Sequence, residues 1–349
     1  MRGQSSFSTL ILCYFACFCI CFYSFYSFIS GGEIKTSTNV AFFEPQTNFS
    51  SSQEELPSTQ KEDEQTQSTP SQSEYIKGTI SASTEAVKGK VITRYISPYL
   101  APLSYDKIYI KNNTPLDINI KTLVGEKIGF KINENNSPQV LIMHTHATET
   151  YMEKDADFYT ENYKSRTTNN NKNMVKIGEI VAKKLNENGI KTLHAKTQHD
   201  YPEYTGSYNR SAKTVNEYLK KYPSIKVVLD LHRDAVSMGG NDKAKLVTEI
   251  NGKKAAQVML VMGSQSGSIK NHPNWKENLK LAVRLQQTME TMYPTLARPL
   301  LLMSKSYNQK LSTGSMLIEF GTDVNTIDEA TYSAELVGDA LVSMLKTLK

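Results

Sequence analysis

The chain has 349 residues, room for about two domains of ~150 residues each, and its 39% hydrophobic and 21% charged content excludes collagen-like, wholly disordered and polytopic membrane classes. The formal charge of +5 is unevenly spread: residues 1–85 hold 4 basic and 9 acidic side chains, which leaves +10 on residues 86–349. All four cysteines (Cys13, Cys17, Cys19, Cys21) precede residue 22, so the remainder has neither a disulfide framework nor a Cys-type zinc site.

The apolar run from Leu10 to Phe28 is about 19 residues long, and at ~1.5 Å per residue it approaches the ~30 Å hydrocarbon core of a bilayer. We read residues 1–31 as a cytoplasmic stub and transmembrane anchor; Arg2, the one charge ahead of the run, sets the orientation and places the rest of the chain outside the cytoplasm. A cleaved signal peptide ending at Ser30-Gly31-Gly32 is the competing reading. Residues 32–85, rich in Ser, Thr, Gln and Glu, bury too little apolar area to offset ordering entropy and read as a flexible linker. Nucleic acid is no ligand for an exported domain.

From 86 onward the pattern is that of one domain. A small β-rich region over 86–135 shows alternation at Lys107-Ile108-Tyr109-Ile110 and a turn at Asn112-Asn113-Thr114-Pro115. Val140–Met143 reads as a buried strand. A helix follows from Asn173, with Met174, Ile177, Val181 and Leu185 on one face, and ends near Gly189. The order repeats with a strand over 190–194, a helix from Ser207 and a strand over 225–231. Leu246–Ile250 and Ala256–Met262 flank the hairpin signal Asn251-Gly252. A helix over Trp275–Met292, strands over 300–303 and 315–320, and a helix from Ile327 with a Thr326/Glu329 capping box complete the chain. The expected fold is α/β, a three-layer mixed sheet with helices on both faces.

In open α/β sheets functional residues gather beyond the carboxyl ends of strands. Here one strand runs into His144-Thr145-His146-Ala147-Thr148-Glu149 and another into Asp230-Leu231-His232-Arg233-Asp234, while a late strand carries Glu319. A hydrolytic zinc site needs three N/O ligands and one open position. His144, Glu149 and His232 supply such a set. His144 directly ends its strand and is preferred, but His146, two residues on and facing the same side of an extended chain, is an alternative ligand or neighbour. Glu319, in an otherwise apolar strand, needs a partner and suits the proton-transferring base. Arg233 and Asp234 are candidates for substrate contact or for orienting a histidine, Arg210 is a weaker one, and Tyr307-Asn308-Gln309 could wall a cleft. His194, His199 and His272 read as structural or solvent-facing.

Three blocks, LIMHTHATETY (141–151), VVLDLHRDA (227–235) and YNQKLSTGSMLIEFGTDVNTIDEA (307–330), resemble those of the stage II sporulation protein P family, relatives of zinc-dependent N-acetylmuramoyl-L-alanine amidases, over roughly 90–349. The resemblance implies an amidase (phosphorylase/hydrolase-like) fold. It also implies a membrane-anchored peptidoglycan hydrolase that strips stem peptides from glycan, can cut peptide cross-links, and acts during forespore engulfment in the space between forespore and mother cell. It implies partnership with the sporulation proteins D and M. By the same resemblance zinc is the cofactor, held by His144, Glu149 and His232, with Glu319 as base. The His–Glu spacing of five and the missing Gly-rich stretch depart from ordinary amidases, which leaves His144 and His146 both open as the first ligand. A non-catalytic wall-binding scaffold and a carboxypeptidase-type zinc peptidase are the alternatives.

Overall fold

The computed structural model describes residues 86–133 and 135–349; the expected anchor and linker lie outside these. The chain begins with β1 (Val87–Arg94), β2 (Leu103–Tyr105) and β3 (Ile108–Asn113), then a short helix α1 (Ile120–Gly125). Next come β4 (Val140–Met143), β5 (Phe158–Thr160), α2 (Met174–Glu187), β6 (Thr192–His194), α3 (Ser207–Lys221) and β7 (Val227–Asp234). The last part holds β8 (Ser237–Gly239), β9 (Asp242–Ile250), β10 (Lys253–Ala256), β11 (Val258–Gly263), α4 (Trp275–Met292), β12 (Leu300–Met303), β13 (Ser315–Thr322) and α5 (Ile327–Lys346).

Eight strands form one mixed sheet in the order β2-β3-β12-β11-β13-β7-β4-β6, parallel throughout except for the β2–β3 and β11–β13 pairs. Alternation along the strands divides its faces. Ile142, Leu229, Leu231, Leu260, Ile318 and Phe320 point to one side, where they pack with Ile177 and Val181 of α2, Leu279 and Leu285 of α4, and Val337 and Leu341 of α5. Each of these fully buried side chains contributes roughly 1.5–3 kcal/mol of transfer free energy, which makes this face the principal core. On the opposite side α3 covers Leu141, Met143 and Val228 through Val215, Tyr218 and Leu219. Its remaining apolar residues, Met259, Val261, Leu301 and Leu317, form a smaller cluster with Met303 and Tyr307. Helices thus lie on both faces as expected, but unequally, and among the described residues one half of a face carries no helix.

A second sheet, β10-β9-β1-β5 with β8 added on β9, was not foreseen as a separate layer. β1 pairs in parallel with β9, about 150 residues away in sequence, and antiparallel with β5. Of the β-rich leading region, β1 therefore joins this second sheet, while β2 and β3 form the edge of the large one. The Asn251-Gly252 turn is present, with φ of 52° and 73°, as a two-residue hairpin of the I′ kind requires. The expected strand over Ala256–Met262 is divided at Gln257, where the chain passes from one sheet to the other. The buried Gln257 side chain accepts from Ile96 N and donates to the carbonyls of Ile96 and Thr295, so the break leaves no polar group of that loop unpaired. Thr326 and Glu329 form the capping box expected at the start of α5.

Candidate metal centre

After β4 the chain turns instead of continuing extended. Residues 145–148 form a turn, Glu149 N donates to His146 O at 3.3 Å, and Thr145 N is held at 2.8 Å by Asp230 Oδ1. The turn separates the two histidines that an extended chain would have placed side by side. His146 swings toward β7, while His144 stays in register with the strand and points under α2. His144 Nδ1 donates to Leu231 O at 3.0 Å, which leaves Nε2 to accept from His194 Nε2–H at 2.8 Å. Burial pushes the His144 pKa down to about 4, against the pull of the Leu231 carbonyl and Asp230; burial and its neighbour push His194 down to about 3. Both nitrogens of His144, the preferred first ligand, are thus committed elsewhere, and the structure does not bring it together with Glu149 and His232 as it does His146.

The residues brought together are His146, Glu149 and His232, all buried, with one donor atom from each within 4.8 Å of the others. His146 Nδ1 lies 3.4 Å from Glu149 Oε1, and His232 Nδ1 lies 3.4 Å from Glu149 Oε2. The two histidines thus approach different oxygens of the one carboxylate, and the three donors are of the N/O type that zinc takes. Each ligand is itself braced. Asp230 Oδ1 lies 2.8 Å from His232 Nε2, off the line of its N–H, and Asp230 is fixed in turn by the Thr145 backbone and hydroxyl. His146 Nε2 contacts Ser207 Oγ at 3.1 Å at the head of α3, and its ring stacks on Tyr204 with centroids 4.6 Å apart. Burial raises the Glu149 pKa, yet His146, His232 and Arg233 outweigh it and hold the carboxyl well below its ordinary value. Burial lowers the His232 pKa, but Asp230 and Glu149 hold it well above the usual value. Asp230 and Glu149 thus favour a positive charge at the His232 ring.

Glu319 stands opposite His232 in the parallel β13–β7 register, so both side chains project from the same face, the one only partly covered by helix. Its Oε2 is buried without a hydrogen-bond partner, and no ion pair reaches it among the described residues. Burial and nearby Asp234 push its pKa up to about 8, Glu149 adding to this while His232 and Arg298 oppose it. Tyr208 of α3 and Tyr307 lie close by, 6.4 Å apart; burial and Glu319 push the Tyr307 pKa up to about 12. Tyr307 thus lies near Glu319 and Tyr208. Asn308 is tied to Tyr208 O, while Gln309 is turned inward to Gly263 N and Val261 O.

Of the other anticipated residues, Arg233 N donates to Glu149 Oε2 at 3.2 Å, and its guanidinium holds the carbonyls of Thr150 and Ser165, so it braces the Glu149 carboxylate. Asp234 pairs with Arg298 at 3.0 Å and lies close enough to Glu319 to raise its pKa. Arg210 points away, clasping the carbonyls of His199, Glu203 and Thr205. His199 is buried between His144 O and Thr214, and His272 is also buried; neither faces solvent. Four contributors were missed: Asp230, Tyr204, Ser207 and Asp200, which anchors the Thr148 turn and Arg166. Asp230 was open to inference, because residues two apart in a strand share a face with His232. The others carry no local signal.

The chain is 28% identical over 221 residues to Stage II sporulation protein P of Bacillus subtilis strain 168, a match covering 59% of this chain and half of the relative's length. It is similar to solved structures of the CwlD amidase of Clostridioides difficile in complex with the GerS lipoprotein (TM-score 0.38, 11% identity, 60% of this chain and 98% of that one) and of the N-acetylmuramyl-L-alanine amidase Ami1 of Mycobacterium smegmatis (TM-score 0.37, 11% identity, 61% and 98%). The sequence profile of the Stage II sporulation protein P family matches residues 26–342, so the chain belongs to that family.

Proposed function

We propose that this protein is a zinc-dependent peptidoglycan hydrolase that cleaves the N-acetylmuramoyl-L-alanine amide bond, with cleavage of peptide cross-links as a second activity, anchored through residues 1–31 and working in engulfment between forespore and mother cell. Among the described residues no helix is long and apolar enough to cross a membrane, so the anchor reading rests on the sequence of that segment. The observation that carries the hydrolase reading is the convergence of His146, Glu149 and His232, one donor atom from each within 4.8 Å of the others, beside Glu319, whose Oε2 is buried without a hydrogen-bond partner. Zinc bound by those three side chains would supply the Lewis acidity that polarises an amide carbonyl and acidifies water.

The chain's own residues do the rest. Glu319, whose Oε2 has no hydrogen-bond partner among the described residues, is placed to take a proton from the attacking water and pass it to the leaving amine, and a pKa raised to about 8 suits it to hold that proton between the two transfers. Asp230 fixes the His232 ring, Ser207 and Tyr204 fix His146, and Arg233 fixes Glu149, so the constellation is held before substrate arrives. The bond to be cut is proposed on the family relation. Incubation with purified sacculi and zinc, followed by mass spectrometry, should release stem peptides with a free N-terminal alanine. Glu319→Gln should keep its metal yet turn over ~10²–10⁴-fold more slowly. Unchanged sacculi would end the hydrolase reading, and release of single C-terminal residues would replace it with a carboxypeptidase. Partnership with the sporulation proteins D and M is proposed on the family relation and tested by co-purification from detergent-solubilised membranes.

A further inference from the structure

Arg166 lies in the loop between β5 and α2, beside the metal centre, and its side chain hydrogen-bonds to none of the three candidate ligands. Its backbone is bridged to that of Glu149 in antiparallel fashion, and Thr167 N donates to Thr148 O at 2.7 Å, so the loop is laid along the segment that carries the ligand. The guanidinium is fixed from two sides. Nη1 donates to the buried Asp200 Oδ2 at 2.7 Å and to Thr148 Oγ1 at 3.4 Å. The guanidinium carbon lies 4.5 Å from the centroid of the Tyr204 ring, which also stacks on His146. An arginine side chain carries about 2 kcal/mol of rotamer entropy, and these contacts have already ordered much of it before any ligand arrives.

One edge of the guanidinium is left over. Nη2 lies 3.9 Å from Glu149 Oε1, the oxygen that His146 Nδ1 approaches, which is too long for a hydrogen bond, and Nε has no acceptor among the described residues. A cation beside a carboxylate that could ligate zinc weakens the pull of that carboxylate on the metal. The placement therefore costs metal affinity, and negative charge reaching the centre during the reaction would offset that cost. Arg166 is also accessible: its side chain is 39% exposed, against 7% for Glu149, 8% for His146 and 4% for His232. Arg233, the other arginine at Glu149, is buried. Of these charged groups Arg166 is the one that a molecule entering from solvent can readily touch.

We propose that Arg166 is a catalytic residue that receives, on its open edge, the negatively charged oxygen developing at the amide carbonyl under attack. As the water oxygen adds to the carbonyl carbon, one water proton goes to Glu319 and the C=O π pair moves onto the carbonyl oxygen, to which Arg166 donates an N–H. The pair returns as the C–N bond breaks, and Glu319 passes its proton to the leaving nitrogen, so that a carboxylic acid and an amine result. The role in turnover rests on the hydrolase reading, whereas the capacity to bind an anionic oxygen at this place does not.

The test compares zinc-loaded full-length wild type with Arg166→Ala, Arg166→Lys and Lys172→Ala, the last removing a cation of the same loop whose side chain pairs with Glu153. Loss of one donor to a developing oxyanion costs ~10²–10³-fold in kcat. Arg166→Ala should lose that much with KM little changed and regain part of it in millimolar guanidinium; Arg166→Lys should fall between, and Lys172→Ala should match wild type. Two readouts need no turnover. Zinc affinity by chelator competition should be equal or tighter in Arg166→Ala, and inorganic phosphate should bind wild type roughly tenfold more tightly than Arg166→Ala by calorimetry. Circular dichroism shows whether Arg166→Ala folds, and Arg166→Lys, which keeps a cation beside Asp200, carries the test if it does not. A raised KM with kcat unchanged would make Arg166 a ground-state contact for a carboxylate, and weakened zinc binding would make it a brace for Glu149. Either result, or equal phosphate affinity in the two proteins, would overturn the proposal. Wild type that leaves sacculi intact yet holds phosphate through Arg166 would uphold the anion contact and end the hydrolase reading.

Discussion

Gly178 sits in the middle of α2, where replacing glycine by alanine normally stabilises a helix by ~1 kcal/mol. Here the opposite sign is expected. A Cβ on Gly178 would lie 2.5 Å from His194 Nε2 and 2.7 Å from His144 Nε2, and His144 has no room to retreat because its other nitrogen is tied to Leu231 O. Overpacking of a closed core costs ~1–3 kcal/mol. Parting the two rings also leaves a buried ring nitrogen unpaired, at a further ~1–3 kcal/mol. Set against the propensity gain, Gly178→Ala should lose about 1–5 kcal/mol, or about 2–20 °C in Tm at ~2–4 °C per kcal/mol for a domain near this size. Urea denaturation and differential scanning calorimetry of the variant against wild type decide the matter. A variant as stable as wild type, or more so, would refute the claim that the helix is placed by contact with this histidine pair.

The same pair gives a pH dependence. His144 has its pKa lowered from 6.5 to about 4, so below pH 6.5 the unfolded chain takes up a proton that the folded one refuses. Its contribution is fully present above 6.5 and declines as pH falls toward 4, by about 3 kcal/mol over that window; the slope of stability against pH between 7 and 4.5 should shrink in His144→Gln, and an unchanged slope would contradict the assignment. Asp230→Asn removes the carboxylate beside His232 while keeping its shape, and zinc affinity measured by chelator competition should fall ~10–100-fold without loss of fold; affinity equal to wild type would show that Asp230 does not orient the ligand.

Local signals were legible in the sequence: helix stripes, the Thr326 capping box, the Asn251-Gly252 turn and the alternation of strands with helices all reflect contacts within a few residues. The second sheet was not, because β1 meets β9 across about 150 residues and neither strand marks its partner. The division at Gln257 was hidden for a related reason, since flanking apolar residues look continuous until the long-range bonds to Ile96 and Thr295 are known. At the site, the residue types and the strand ends were readable. The choice between His144 and His146 was not, because it depends on a turn after β4 that Asp230 stabilises from a different strand.

That choice is also the most direct test of the account. Zinc content of dialysed wild type, His146→Ala, His232→Ala and His144→Ala, measured by elemental analysis on samples shown by circular dichroism to be folded, should fall to near zero in the His146 and His232 variants. It should stay close to one ion per chain in wild type and in His144→Ala. Zinc lost from the folded His144 variant and kept by the folded His146 variant would contradict the geometry of the centre, and its absence from wild type would remove the metal from the mechanism.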